Sequence, residues 1–127
     1  MEREKGFSLL EVMLAIALMG IIAVAFLGAL ATGSKAIFIA DERATAESIA
    51  RSQMEDIKKQ VYDDTLPIEY SLLLGIPANY SITVTAQRLD RDVPPNPTDD
   101  DGIQQIIVTV SHNTKQVLTL EDYKVDR

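Results

Sequence analysis

From Val12 to Ala31 the chain runs for 20 residues in which every position is apolar or glycine. At about 1.5 Å per residue such a run makes about 30 Å of helix, the thickness of a bilayer's hydrocarbon core. Inside lipid the backbone must satisfy its own donors and acceptors, so a single spanning segment has to be helical. No other stretch of the 127 residues is long and apolar enough to span, and the residues after Ala31 suffice for one small domain. Cysteine is absent, which rules out disulfides, thiolate zinc sites and a cysteine nucleophile. With 19 acidic against 12 basic residues the net charge is -7, which argues against nucleic acid as a partner and against acidic lipid for the downstream domain.

A secretory signal peptide is the competing reading of the apolar run. Ala29-Leu30-Ala31 offers a small-x-small cleavage pattern, and Arg3 and Lys5 sit at the N-terminus. Against removal, Glu2, Glu4 and Glu11 dilute the basic end, and the run exceeds the about 7 to 15 residues usual in such peptides. Orientation by positive charge is nearly balanced, with Arg3 and Lys5 before the run and Lys35 and Arg43 after it. The short tail before Phe7 and the longer acidic domain behind it favour a cytoplasmic N-terminus and an extracytoplasmic globular part.

Glu11 stands on the threshold of the apolar run, where an ionised side chain costs roughly 3 kcal/mol on insertion scales. It either snorkels to the interface or meets a partner. The surrounding residues bear on that choice. Gly6-Phe7-Ser8-Leu9-Leu10-Glu11-Val12 resembles the class III signal of type IV pilins and type II secretion pseudopilins, with serine at a position where threonine is common. The resemblance implies that a prepilin peptidase in the membrane cuts between Gly6 and Phe7 and methylates the new Phe7 amine. It also implies assembly with other pilin or pseudopilin subunits through an inner-membrane platform, Glu11 of one subunit meeting the Phe7 amine of a neighbour. Burying the two charges together avoids the cost of stranding either one, and such a pair is expected to set axial register more than it adds stability.

Small residues at Gly20, Ala23, Ala25, Gly28, Ala29 and Ala31 permit close helix approach, and Gly28 and Gly33 are candidate bend points. Beyond Ser34 the pattern turns amphipathic, with Ala46, Ala50, Met54, Ile57 and Val61 forming one stripe. Glu47 with Arg51 and Glu55 with Lys59 are i,i+4 pairs in the favourable order. The expected helix runs from about Ser8 to Tyr62 and stops before Pro67.

Three strands are expected after a partly buried loop around Leu72 to Pro77. Tyr80 to Ala86 alternates with period two, as do Ile106 to Val110 and Gln116 to Leu120, the last two joined by Ser111 to Lys115 as a hairpin. So few strands cannot hide an apolar face alone, and the helix stripe supplies the cover. The expected fold is α+β and pilin-like, a long N-terminal helix packed on a small antiparallel sheet. Its layout is a leader over 1–6, a membrane or filament-core helix over 7–34, an amphipathic helix over 35–64 and the sheet part over 65–127. AESIARSQMEDIKKQ and the final hairpin IIVTVSHNTKQVLTLEDYK further resemble minor pilins of the pilus modification subunit type and the smaller minor pseudopilins.

Asp90 to Gly102 is rich in proline and aspartate and reads as a solvated loop. Asp99, Asp100 and Asp101 offer the oxygen ligands calcium prefers, without the spacing of an EF-hand, so a calcium site and a plain loop both remain open. His112, the only histidine, falls in the expected hairpin turn with no helix- or strand-spaced carboxylate to pair with. Neither a phosphate loop nor H-E-x-x-H occurs. The expectation is therefore a structural subunit of a pilus, secretion or competence system, not an enzyme. The alternative is a single-span signal-anchored module that binds an extracytoplasmic ligand.

Overall fold

A computed structural model describes residues 6–90 and 100–127. Most of the leader, Arg3, Lys5, Asp99 and the greater part of the acidic loop lie outside the described residues. Helix α1 spans Leu9–Lys59, and after it come strands β1 (Tyr80–Arg88), β2 (Ile103–His112) and β3 (Lys115–Val125). The chain divides into two compact units, Met1–Ile39 and Ala40–Arg127.

In the first unit α1 carries every described side chain exposed, from Phe7 to Ile39. By length and composition it suffices to cross a membrane. The Thr32 hydroxyl donates to the Gly28 carbonyl at 3.0 Å, a back-bond of the kind that bends helices slightly.

The second unit is built on the amphipathic end of α1. Ala46, Ile49, Ala50, Gln53, Met54 and Ile57 are its buried residues, spaced by three and four so that they form one face. The sheet is an antiparallel meander in the order β1-β2-β3. Ile82, Val84 and Ala86 pair with Val110, Val108 and Ile106, which pair in turn with Leu118, Leu120 and Asp122. Directly opposed residues share a face, so these register rows form the inner layer. Ile106, Val108 and Val110 of the central strand and Ile57 of the helix are fully buried, each worth about 2 kcal/mol or more in transfer. The other face displays Ser81, Thr83, Thr85, Gln87 and Thr119, all exposed, as a half-solvated antiparallel sheet allows. Asn113 and Thr114 turn the β2–β3 hairpin with φ of 48° and 69°, the left-handed pair a two-residue type I′ turn needs.

This is the expected α+β architecture, with differences at the element ends. The helix stops at Lys59 rather than Tyr62, and Val61 is 89% exposed, so it leaves the stripe. At this end the buried Lys124 ammonium donates to the carbonyls of Ile57, in the last turn, and Gln60, just past it, a favourable cation at a helix C-terminus. The strands run past their expected ends, and two of the polar residues there, Gln104 and Lys124, are buried. Gln104 is fully buried, accepts the Tyr70 hydroxyl at 2.5 Å and donates to the Asp63 carbonyl at 2.6 Å.

The connection between α1 and β1 is held by two glutamines seven residues apart, Gln53 on α1 and Gln60 just past its end. The Gln53 amide donates to the Ser71 carbonyl at 3.0 Å and accepts the Leu73 N–H at 2.8 Å. Gln60 accepts the Ser71 N–H at 2.9 Å and donates to the same Ser71 carbonyl at 3.1 Å. A primary amide carries donor and acceptor side by side, so each glutamine stands in for a neighbouring strand. Ile68, Leu73 and Ile76 are thereby pressed against the core.

Candidate functional site

At the N-terminus the Ser8 carbonyl accepts the N–H groups of Glu11 at 2.9 Å and Val12 at 3.2 Å, which makes Ser8 the cap of α1 and Glu11 its third helical residue. Ser-x-x-Glu is the capping-box spacing, and a carboxylate in the first turn also complements the helix dipole. An acid at this position therefore suits the local helix chemistry, whatever partner it meets beyond its own chain. Phe7 is 81% exposed, and with Glu11, Val12, Ala15, Ile16 and Met19 it lines an apolar groove of about 380 Å³ along the helix. Val12, Ala15, Ile16 and Met19 fall at i, i+3, i+4, i+7 spacing and form a single stripe with the carboxylate on its edge. Among the described residues Glu11 has no ion-pair partner in its own chain.

The other clusters of ionisable groups lie in the second unit. His112 closes β2 instead of sitting in the turn, and it has the carboxylate partner that sequence spacing did not show. Its Nδ1 lies 2.6 Å from Glu42 Oε1 on α1, both side chains being about three-quarters buried. The imidazole also stacks on the Tyr80 ring, with centroids 4.5 Å apart. This contact joins residues 70 apart in sequence, beyond the reach of any periodicity argument.

Around the end of α1 a second polar cluster forms. Asp100 Oδ1 accepts the Tyr62 hydroxyl at 2.7 Å and the Gly102 N–H at 2.9 Å, and its Oδ2 lies 3.5 Å from Arg88 Nε. Burial, and then the Asp100 carboxylate, push the Tyr62 phenol well above its ordinary value. Burial likewise raises the Tyr70 phenol. The Thr65 hydroxyl and the Glu69 N–H hold the Asp63 carboxyl below the ordinary range. Burial lowers the Lys124 ammonium, which stands 5.0 Å from the Tyr70 ring centre. Chemically these groups anchor one another and the chain that carries them. Among the described residues no group of three or more His, Cys, Asp or Glu side chains is placed to hold a metal ion.

The N-terminal site is where a known family motif matches. The prokaryotic N-terminal methylation motif fits residues 1–27. The chain carries a prokaryotic N-terminal methylation motif. No curated protein and no solved structure matches the chain. The methylation motif includes Gly6, Phe7 and Glu11 and most of the apolar run, which agrees with a type IV pilin-like or pseudopilin identity. It supports a precursor that a prepilin peptidase processes and that assembles with other pilins. Together with the exposed apolar helix, the methylation motif points to membrane anchoring. Proteins of the pilin-like kind are structural.

Proposed function

We propose that this chain is a minor pilin-like structural subunit, made as an inner-membrane precursor with its N-terminus in the cytoplasm and its sheet domain outside. Prepilin peptidase cuts after Gly6, Phe7 becomes the N-methylated first residue, and the helix then assembles into a type IV pilus or a type II secretion pseudopilus, at the tip or in an initiating complex. The observation that carries this reading is the methylation motif set on a helix whose N-terminal stripe and carboxylate are exposed. Glu11 receives the trimmed Phe7 amine of a neighbouring subunit; its place in the first turn of α1 puts the carboxylate at the helix start where such an amine arrives. The minor-subunit assignment rests on the resemblance of the 46–60 helix and the closing hairpin to small minor pilins and pseudopilins. The role is architectural, not catalytic.

Mass spectrometry of the protein recovered from its native membrane tests the proposal. The expected N-terminal residue is N-methylated Phe7; an intact Met1, or a start at Thr32, would refute it.

A further inference from the structure

His112 is the chain's only histidine, and histidine is the one side chain of the second unit whose ordinary titration falls between about pH 5 and pH 8. Neither processing nor assembly uses it. It stands in the inner row of the sheet opposite Tyr80, just past the bulge between Val110 and Ser111, and bulges re-aim the side chains beside them. Both ring nitrogens are engaged: Nδ1 lies 2.6 Å from Glu42 Oε1, and Nε2 lies 3.3 Å from the side-chain amide nitrogen of Asn113. An ionised carboxylate only accepts, so Nδ1 carries the proton; an amide nitrogen only donates, so Nε2 keeps its lone pair. These two contacts define a neutral ring in a single tautomer.

The ionisable groups around the ring are Glu42 on α1, with exposed Asp41 and Arg43 beside it, Tyr80 stacked on it from β1, and Lys115 across from it on β3. Carboxylates, phenols and side-chain cations ordinarily titrate outside that interval, so the ring is the group that changes. A proton taken from water goes to Nε2, the free lone pair. It sets an N–H against the Asn113 NH2, and two donors cannot share a hydrogen bond. At the same time the contact with Glu42, about three-quarters buried, becomes a charge-assisted one. The Asn113 backbone is tied down, because its N–H donates to the Asn79 carbonyl at 2.9 Å and its φ of 48° belongs to the turn. Relief therefore falls to the side chain, whose terminal torsion has two broad wells half a turn apart.

We infer that His112 is a proton-operated switch on the β2–β3 turn. With the ring neutral, the exposed Asn113 amide faces it through nitrogen and turns its carbonyl oxygen outward; with the ring protonated, the amide turns over and shows its NH2 group instead. The turn thus offers its surroundings an acceptor at neutral pH and a donor in acid, where the Glu42 ion pair also draws it more firmly to α1. All the parts lie in the second unit, so the switch does not depend on how the chain assembles.

Nuclear magnetic resonance of the nitrogen-labelled full chain in detergent tests this. Two-bond proton–nitrogen correlations of the His112 ring should place the proton on Nδ1 alone at about pH 8 and on both nitrogens at about pH 5. Over the same interval the Asn113 side-chain amide signals should shift with the midpoint of the ring. Glu42→Ala removes the acceptor that fixes the tautomer, so at about pH 8 the proton should move to Nε2, and the Asn113 amide, already turned over, should lose its response to pH. Unchanged backbone signals of Ile106, Val108 and Val110 show that the sheet of the variant is intact. A wild-type ring with its proton on Nε2 at about pH 8, or an Asn113 amide unmoved between the two pH values, overturns the inference. So does an Asn113 amide that still follows pH in a folded Glu42→Ala chain.

Discussion

Replacing Gln53 tests whether the helix amides hold the 69–73 segment in place. Gln53 is fully buried and makes two hydrogen bonds, at 3.0 Å to the Ser71 carbonyl and 2.8 Å from the Leu73 N–H. In Gln53→Met the volume is nearly kept and both bonds are lost. The Ser71 carbonyl retains Gln60 at 3.1 Å, so the uncompensated group is the Leu73 N–H. One lost bond costs about 1 kcal/mol and a stranded donor about 1 to 3, which gives a loss of about 2 to 3 kcal/mol after the apolar gain of methionine is set against it. At about 1 kcal/mol per M urea for a domain of this size, the midpoint should fall by about 2 to 3 M. All four tyrosines lie in the second unit and tryptophan is absent, so near-ultraviolet circular dichroism of the full chain in detergent, followed in the tyrosine band, reports on that unit. Gln60→Met, at a less buried position, should cost about 1 kcal/mol. The double variant should lose about 1 kcal/mol more than the sum, since only then is the shared Ser71 carbonyl left without either amide. A wild-type midpoint for Gln53→Met, or strict additivity in the double variant, would refute the clamp.

Ile57→Ala, at a fully buried position, should destabilise the same unit by about 3 kcal/mol, read from the same urea transition. A double-mutant cycle on Glu42→Gln and His112→Gln should return a coupling of about 0.5 to 1 kcal/mol at pH 6, falling toward zero if the 2.6 Å contact does not persist in solution. Lys58 beside Asp122 holds that carboxyl below its ordinary value, so the stability it contributes is present above the unfolded value near pH 4 and is lost as pH falls through the folded one. Asp122→Asn should flatten that acid limb of the stability curve. Tyr62 and Tyr70 keep protons in the folded state that the unfolded chain releases near pH 10, so stability should fall as pH rises through 10. Phenolate absorbance should then show two tyrosines that ionise only on unfolding.

Apolar spacing found what depends on apolar contact. Ala46, Ala50, Met54 and Ile57 were legible at helical period, and Ile82, Val84, Ile106, Val108 and Val110 at strand period, because water excludes them wherever the chain closes. The features that escaped are polar and non-local. Gln53 sits on the buried helix face beside Met54, and its isolation there among apolar neighbours was a signal of a buried amide in need of partners. The helix ends at Lys59, where Lys124 reaches back from β3 to Ile57 and Gln60, so a reading based on Pro67 overshot and carried Val61 with it. Glu42 and His112 meet only because α1 crosses the sheet, which no local window contains. At the N-terminus the order Gly6, Phe7, Glu11 lies inside the matched methylation motif, a pattern that is local in sequence and needs no tertiary contact to be read.

The two-glutamine seat has a bearing on how such a domain can vary. Residues 71 and 73 are gripped through peptide groups, which every amino acid but proline supplies alike. Leu72 and Leu74 are turned outward, 49% and 97% exposed, on a ledge whose attachment does not depend on what they are. Substitution at positions 72 and 74 by any residue other than proline therefore leaves the backbone contacts that seat the ledge in place.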